Sequence, residues 1–315
     1  MSLDLDFDDA QTALVESLAQ FCRERCDEAV VRAASAEFPR ALWSELAGLG
    51  VLSAGAPGGE GGALEICAAM EALGRAAFPG PLVASFVALQ LLEGREHVAV
   101  AEGDAIVSFG RAPLMPFAPI ADVFLECAGD FVFRAEPTGP IEAIEVLGGE
   151  PWGRVALRRG EAFAQSSRAL LIGEIARAAF LAALGERLVD EVAEHARTRR
   201  QFGRAIGEFQ AVAHPLADCQ MRLCAARTLA RAAAWKFDGG DFPGADSTAA
   251  IARLSCAAAA VETAHVAHQI YGAIGITLEG PAFHLTRRIR QLASDVPEAE
   301  RARAHTLRQL GLPPA

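Results

Sequence analysis

The chain has 315 residues, 52% of them hydrophobic, with 29 basic residues against 40 acidic, a net charge of −11 and a pI near 5.2. That is enough apolar material for a large core divided into two or three domains, and the acidic balance speaks against a nucleic-acid groove or an anionic membrane surface as partner, so anionic ligands must be held by local arginines. Seven cysteines with no CxxC pair and no clustered histidines match reduced thiols in a cytoplasm and no metal site, while the lack of a basic-then-apolar leader or an apolar run of about 18 residues predicts neither export nor a spanning helix.

Residues 1–95 show apolar positions at three-and-four spacing, Leu14, Leu18 and Phe21, then Leu42, Leu46 and Leu49, then Ile66, Met70 and Leu73, which predicts a helical domain. Pro57 to Gly62 is glycine-rich, but no strand precedes it and no Lys-Ser or Lys-Thr follows, so it reads as a loop between helices rather than a phosphate loop. Phe78-Pro-Gly-Pro81 ends the third helix, since proline removes a donor and restricts its predecessor.

Residues 96–164 change period. Short β-like runs, Val98–Ala101, Ala105–Phe109, Val123–Cys127, Phe131–Arg134 and Arg154–Leu157, are separated by Gly, Pro and Asp, and predict a small antiparallel β-domain. Trp152 reads as a tryptophan packed in the core or on a sheet face.

Residues 165–315 are helical again and rich in alanine, with breaks at Gly203, at Asp238–Asp241 and from Gly275 to Pro281. Alanine favours helix and close packing, and four long helices with short connections predict an antiparallel four-helix bundle. The fold class is therefore α+β, mostly α. The stretch Arg197 to Gln210 interrupts the pattern between two of these helices with charge, glycine and an aromatic. Arg199, Arg200 and Arg204 supply planar guanidiniums for bidentate phosphate contacts, Gly203 and Gly207 let backbone approach a ligand, and Phe202 offers a flat face to an adenine. Phosphate plus aromatic points to a dinucleotide.

This stretch resembles the Arg-x-x-Phe-Gly and Phe-Gln motif of the acyl-CoA dehydrogenases, a family of flavoproteins. Gln269-Ile-Tyr-Gly-Ala-Ile-Gly275 is similar to the family's Gln-x-x-Gly-Gly-x-Gly, with Ala273 at the middle glycine. Leu42 to Val51, Pro57 to Gly62 and Met70 to Arg75 resemble its N-terminal helical domain in the same order. The family's Trp-Ile-Thr-Asn and Thr-Glu-Pro segments have no counterpart in the middle domain. The resemblance implies FAD as cofactor, with Arg199, Gln201, Phe202 and Gln210 at its pyrophosphate and adenine, and Gln269, Gly272 and Gly275 meeting it from the facing subunit.

The chemistry implied is removal of an α-proton from an acyl-CoA by a carboxylate while the flavin takes the β-hydride. In one branch of the family the base follows the glycine motif; the matching position here is Val296, in Ser294–Glu298, and is not acidic. In another it precedes the arginine motif, and the count lands on Gly173, beside Glu174, which is the candidate catalytic acid; the alternative is a solvent-exposed first-turn glutamate. Glu279 reads as a loop-ordering residue, and Asp295 and Glu298 as surface charges. The run from His284 through Arg301 and Arg303 resembles the branch that handles bulky CoA thioesters, steroid side chains among them, some of whose members are α2β2 heteromers. The expected partners are therefore an acyl-CoA, a second copy or a second dehydrogenase subunit, and an electron-transfer flavoprotein. A non-catalytic scaffold subunit and a flavin-dependent oxygenase are the competing readings.

Overall fold

The computed structural model describes residues 5–278, 280–294 and 307. The chain begins with six helices: α1 (Asp9–Arg25), α2 (Glu28–Ala33), α3 (Arg40–Gly48), α4 (Ala63–Arg75), α5 (Leu82–Leu89) and α6 (Gly94–Ala101). Helix α1 starts where Asp8 accepts the Gln11 amide at 2.8 Å while the Gln11 side chain accepts the Asp8 amide at 3.2 Å, a reciprocal cap that satisfies two otherwise open donors. Val98 to Ala101, expected in a strand, closes α6 instead. Four residues of alternating Val and Ala do not distinguish the two periods, and the preceding Gly94–His97 supplies the helical turn they continue.

The middle of the chain forms seven short strands in two sheets. Strands β1 (Val107–Gly110), β3 (Val123–Ala128), β4 (Phe131–Pro137) and β7 (Leu157–Ala162) pair in the order β1-β3-β4-β7; β2 (Leu114–Pro116), β5 (Glu142–Ile144) and β6 (Trp152–Arg154) pair as β2-β6-β5. All pairings are antiparallel except β1 with β3, which run parallel because the chain between them crosses back through β2.

Helix α7 (Ser166–Thr198) is followed by a two-stranded hairpin, β8 (Arg200–Gln201) and β9 (Arg204–Ala205), and then by α8 (Gln210–Asp238), α9 (Phe242–Tyr271) and the shorter α10 (Pro281–Ala293). Three long helices with short links thus form an antiparallel bundle with α10 against it. Helix α7 is buried on every side from Ala169 to Glu186, as a helix in the middle of a domain must be. Glycines set how closely its neighbours come. A Cβ on Gly173 would lie 2.8 Å from Val87 of α5, one on Gly74 of α4 would lie 2.7 Å from the Phe180 carbonyl oxygen, and one on Gly185 would lie 2.6 Å from Leu223 of α8.

The N-terminal helices are tied to the bundle by charge as well as by packing. Asp238, the last residue of α8, accepts the amides of Ala63 and Leu64 at 2.7 and 3.0 Å, so a carboxylate of the chain itself sits at the N-terminus of α4. The Pro57–Gly62 stretch is accordingly a loop between helices, its anion position taken. Glu71 of α4 receives both arms of Arg231 at 2.7 and 2.6 Å, and Glu186 of α7 pairs with Arg227 at 3.3 Å and Arg75 at 3.5 Å. Among the described residues no helix is long and apolar enough to cross a membrane, and no group of acidic, His and Cys side chains could hold a metal.

Candidate functional site

The connector between α7 and α8 lies at one end of the bundle and faces outward. The β8–β9 hairpin turns at Phe202 and Gly203, both in the left-handed region with φ of 52° and 82°. Glycine takes this conformation freely, whereas for phenylalanine it is strained. Phe202 is 92% exposed, its ring edge-on to Phe209 at 6.2 Å. Of the three arginines, Arg204 stacks over the Phe209 ring at 4.1 Å and Arg200 donates to the Gly203 carbonyl at 3.1 Å. Among the described residues the Arg199 guanidinium makes no hydrogen bond or ion pair, and it is exposed. Gln201 and Gln210 are exposed as well, the latter as the first residue of α8.

The second expected segment comes to the same end. Tyr271, at the close of α9, stacks on His195, one turn before Arg199, with ring centroids 4.6 Å apart. Burial, and then the nearby Arg199 charge, holds the His195 imidazole below its usual range. Gln269 and Gly272 are exposed. Gly272 has φ 61°, and a Cβ there would meet nothing within 4 Å, so its backbone is bare to solvent. Gly275 is different. It is buried, and a Cβ would strike Tyr271 at 2.9 Å and crowd His268 at 3.3 Å, which makes it the residue that lets the turn fold back on α9.

Glu174 is elsewhere. It sits in the third turn of α7, beyond the first turn where a helix dipole acts, and is 2% exposed, which overturns the solvent-exposed alternative. Beside it, a cavity of about 70 Å³ lies between α5, α7, α10 and the β-domain. Arg177, one turn beyond Glu174, is in its wall; Glu174 is not. Trp152, read as a packing residue, stands half-buried on β6 in the same wall, with Glu150 and Arg288. The linear pattern did not bring this group together, because Arg288 lies 111 residues or more from the other three and belongs to the run that starts at His284, while Glu150, Trp152 and Arg177 belong to no motif. Glu279, Asp295, Val296, Glu298, Arg301 and Arg303 lie outside the described residues.

Two family profiles match the helical parts of the chain. The profile described as "Acyl-CoA dehydrogenase, N-terminal domain" matches residues 8–94, and "Acyl-CoA dehydrogenase, C-terminal domain" matches residues 160–293. The acyl-CoA dehydrogenase IpdE2 of Mycobacterium tuberculosis is 30% identical over 295 residues, 84% of this chain and 86% of its own. The chain belongs to the acyl-CoA dehydrogenase family. Acyl-CoA dehydrogenase FadE27 of the same organism is 29% identical over 302 residues, covering 78% of this chain and 81% of that protein. The ChsE4–ChsE5 complex from M. tuberculosis superposes with a TM-score of 0.83 at 25% identity, over 99% of this chain and all of that one. Members of this family are flavin-dependent oxidoreductases with this mostly helical fold.

The family's FAD suits one part of this chain and not another. At the connector, an uncommitted guanidinium, an exposed aromatic and bare glycine backbone are the groups a pyrophosphate and an adenine require. All of them face outward, as they must if a second subunit closes the site. Between the domains, a space of about 70 Å³ is well below the roughly 300 Å³ at which enclosed ligand pockets begin.

Proposed function

We propose that this chain is one subunit of a heteromeric acyl-CoA dehydrogenase that removes the α and β hydrogens of a bulky acyl-CoA thioester, and that its own share is to hold FAD across the subunit interface. The observation that carries this reading is the contrast between the two regions: the FAD-suited groups gather at one open end of the bundle, while the space beside Glu174 is too small for an acyl-CoA. Arg199 neutralises the pyrophosphate, Phe202 covers the adenine with Gln201 and Gln210 beside it, and Gln269 and Gly272 meet the FAD of the facing subunit from the turn that Gly275 folds back on α9. FAD held there would supply the acceptor for the β-hydride, with an electron-transfer flavoprotein as the onward electron acceptor. Glu174 is the acid this chain has available, and its burial off the cavity wall favours the facing subunit as the source of the base.

The test uses the complex purified with a second, co-expressed dehydrogenase subunit. Arg199→Ala should release flavin, a loss of about 2–3 kcal/mol for a charge-assisted contact, read as visible absorbance per protein. Glu174→Gln should leave turnover of a CoA thioester within a few-fold of the parent at equal flavin content, whereas loss of a general base costs roughly 100-fold or more. Full flavin in the first variant would refute the cofactor assignment, and collapse of turnover in the second would return the base to this chain.

A further inference from the structure

The cavity between α5, α7, α10 and the β-domain is small, and its wall is short of hydrogen-bond acceptors. Two buried donors there, the Trp152 indole Nε1–H and the Arg288 Nε–H, find none among the described residues. A buried donor left without an acceptor costs about 1–3 kcal/mol, so two in one wall call for a ligand or water that supplies oxygen. Arg288 brings a positive charge to this wall beside the carboxylate of Glu150, and it is less than a tenth exposed. Much of the rest, including Leu82, Val83 and Phe180, is apolar.

Arg288 is fixed in place. Its Nη2–H donates to the Phe78 carbonyl at 2.5 Å, its Nη1–H donates to the Ala77 carbonyl, and its guanidinium lies 5.0 Å from the Phe180 ring centroid. Its Nε lies 3.6 Å from Glu150 Oε1, an ion pair too long for a hydrogen bond. Gly80, Phe117, Glu150 and Arg288 also line a second space of about 50 Å³ that reaches α2 and His284. The Arg288–Glu150 pair is therefore the partition between two halves of one cleft, and a competing carboxylate would open it.

We propose that this cleft is a carboxylate-binding subsite, in which an aliphatic acid places its carboxylate between Arg288 Nε and the Trp152 indole and its chain along Leu82, Val83 and Phe180. About 70 Å³ holds a handful of water-sized groups, which suits a carboxylate on a stem of two or three carbons. The acid is either a free small molecule or the distal carboxylate of an acyl chain, and the second source rests on the function proposed above.

The reporter is the indole N–H signal of Trp152 in a ¹⁵N-labelled sample of the assembled protein, assigned with Trp152→Phe. Butyrate should move it saturably, butylammonium should not, and butyramide should bind at least about tenfold more weakly for want of charge. Glu150→Gln removes the competing carboxylate and should tighten butyrate about tenfold, while Arg288→Met should abolish the response. Because Arg288 also holds two carbonyls, the Glu150→Gln result keeps the test independent of whether Arg288→Met folds. A response to glutaryl-CoA but not butyryl-CoA assigns the subsite to the distal end of an acyl chain, and a response to butyrate alone assigns it to a free acid. Either result stands whether or not the protein retains flavin. An unmoved signal in both the parent and Glu150→Gln, or an equal response to butylammonium, overturns the proposal.

Discussion

Replacing Gly74 by alanine pits two effects of opposite sign against each other at one atom. Gly74 lies one residue from the end of α4, inside the Met70–Arg75 stretch, and alanine there should gain up to about 1 kcal/mol in helix propensity. The new methyl, however, would stand 2.7 Å from the Phe180 carbonyl oxygen and 2.8 Å from Ala183 Cβ, roughly an ångström inside ordinary contact. Neither obstacle is the far end of a flexible side chain, since one is backbone and the other a Cβ, so α4 and α7 must part along their length. Overpacking of this kind costs about 1–3 kcal/mol, and with backbone on one side the upper half applies. The net expectation is a loss of about 1–2 kcal/mol. Gly48→Ala is the matched control, because it closes α3 with nothing within 4 Å of the added carbon and should gain about 0.5 kcal/mol. Urea unfolding by circular dichroism reads both, as midpoint shifts at constant slope. A Gly74→Ala protein as stable as its parent would show that the helices do not meet this closely.

Three further outcomes follow from the same contacts. Asp238→Ala should cost about 1 kcal/mol by urea titration, the lower part of the range for a helix cap, because burial raises the Asp238 carboxyl's pKa and offsets part of what its two amide bonds contribute. Burial also raises Glu186 above its ordinary range, so its contribution is fully present below the unfolded-state value of about 4.5 and is lost as pH rises through the folded value; the stability gap between parent and Glu186→Gln should shrink from pH 4 to 7, and a gap that widened would reverse the assignment. By light scattering at micromolar concentration the chain should be at least dimeric, alone or with its partner subunit, and a monomer would count against the shared FAD site.

Much of this architecture could be read from the residue pattern, because the helices that build the core are long and periodic. Of the nine positions chosen by spacing, Leu18, Leu42, Leu46, Ile66, Met70 and Leu73 are buried, Leu14 and Phe21 are half-buried, and Leu49, just past the end of α3, is exposed. The β-domain was harder. Its strands run three to seven residues, β2 ends in proline and β5 carries a charge, so neither announces itself, while Val98–Ala101 alternates without being a strand. The connector was legible because arginine, glycine and an exposed aromatic in the middle of an alanine-rich pattern have no packing reason to be there. The opposite holds for Trp152, Glu150, Arg177 and Arg288. The first three are unremarkable in their own segments, Arg288 is one arginine of several in the run from His284, and only the docking of α10 against the loop after α4 and against the β-domain brings them to one wall. Glu186 was invisible for a related reason: a glutamate in an apolar helix reads as a solvated face until Arg75 and Arg227, 111 and 41 residues away, are folded onto it.

Helix α8 begins at the connector with Gln210 and ends at Asp238, 29 residues or about 43 Å later. Its two ends thus have unrelated roles, one carrying the groups proposed to meet FAD and a neighbouring subunit, the other clamping the N-terminal helices. At ordinary ionic strength the separation is about four Debye lengths, so no charge change at one end is felt electrostatically at the other. Substitutions at the two ends should therefore combine additively, within about 0.5 kcal/mol. A lineage could retune which subunit it pairs with at the hairpin without disturbing the seam that holds its domains together, and an engineer could graft a new connector onto this bundle while stabilising it from the far side.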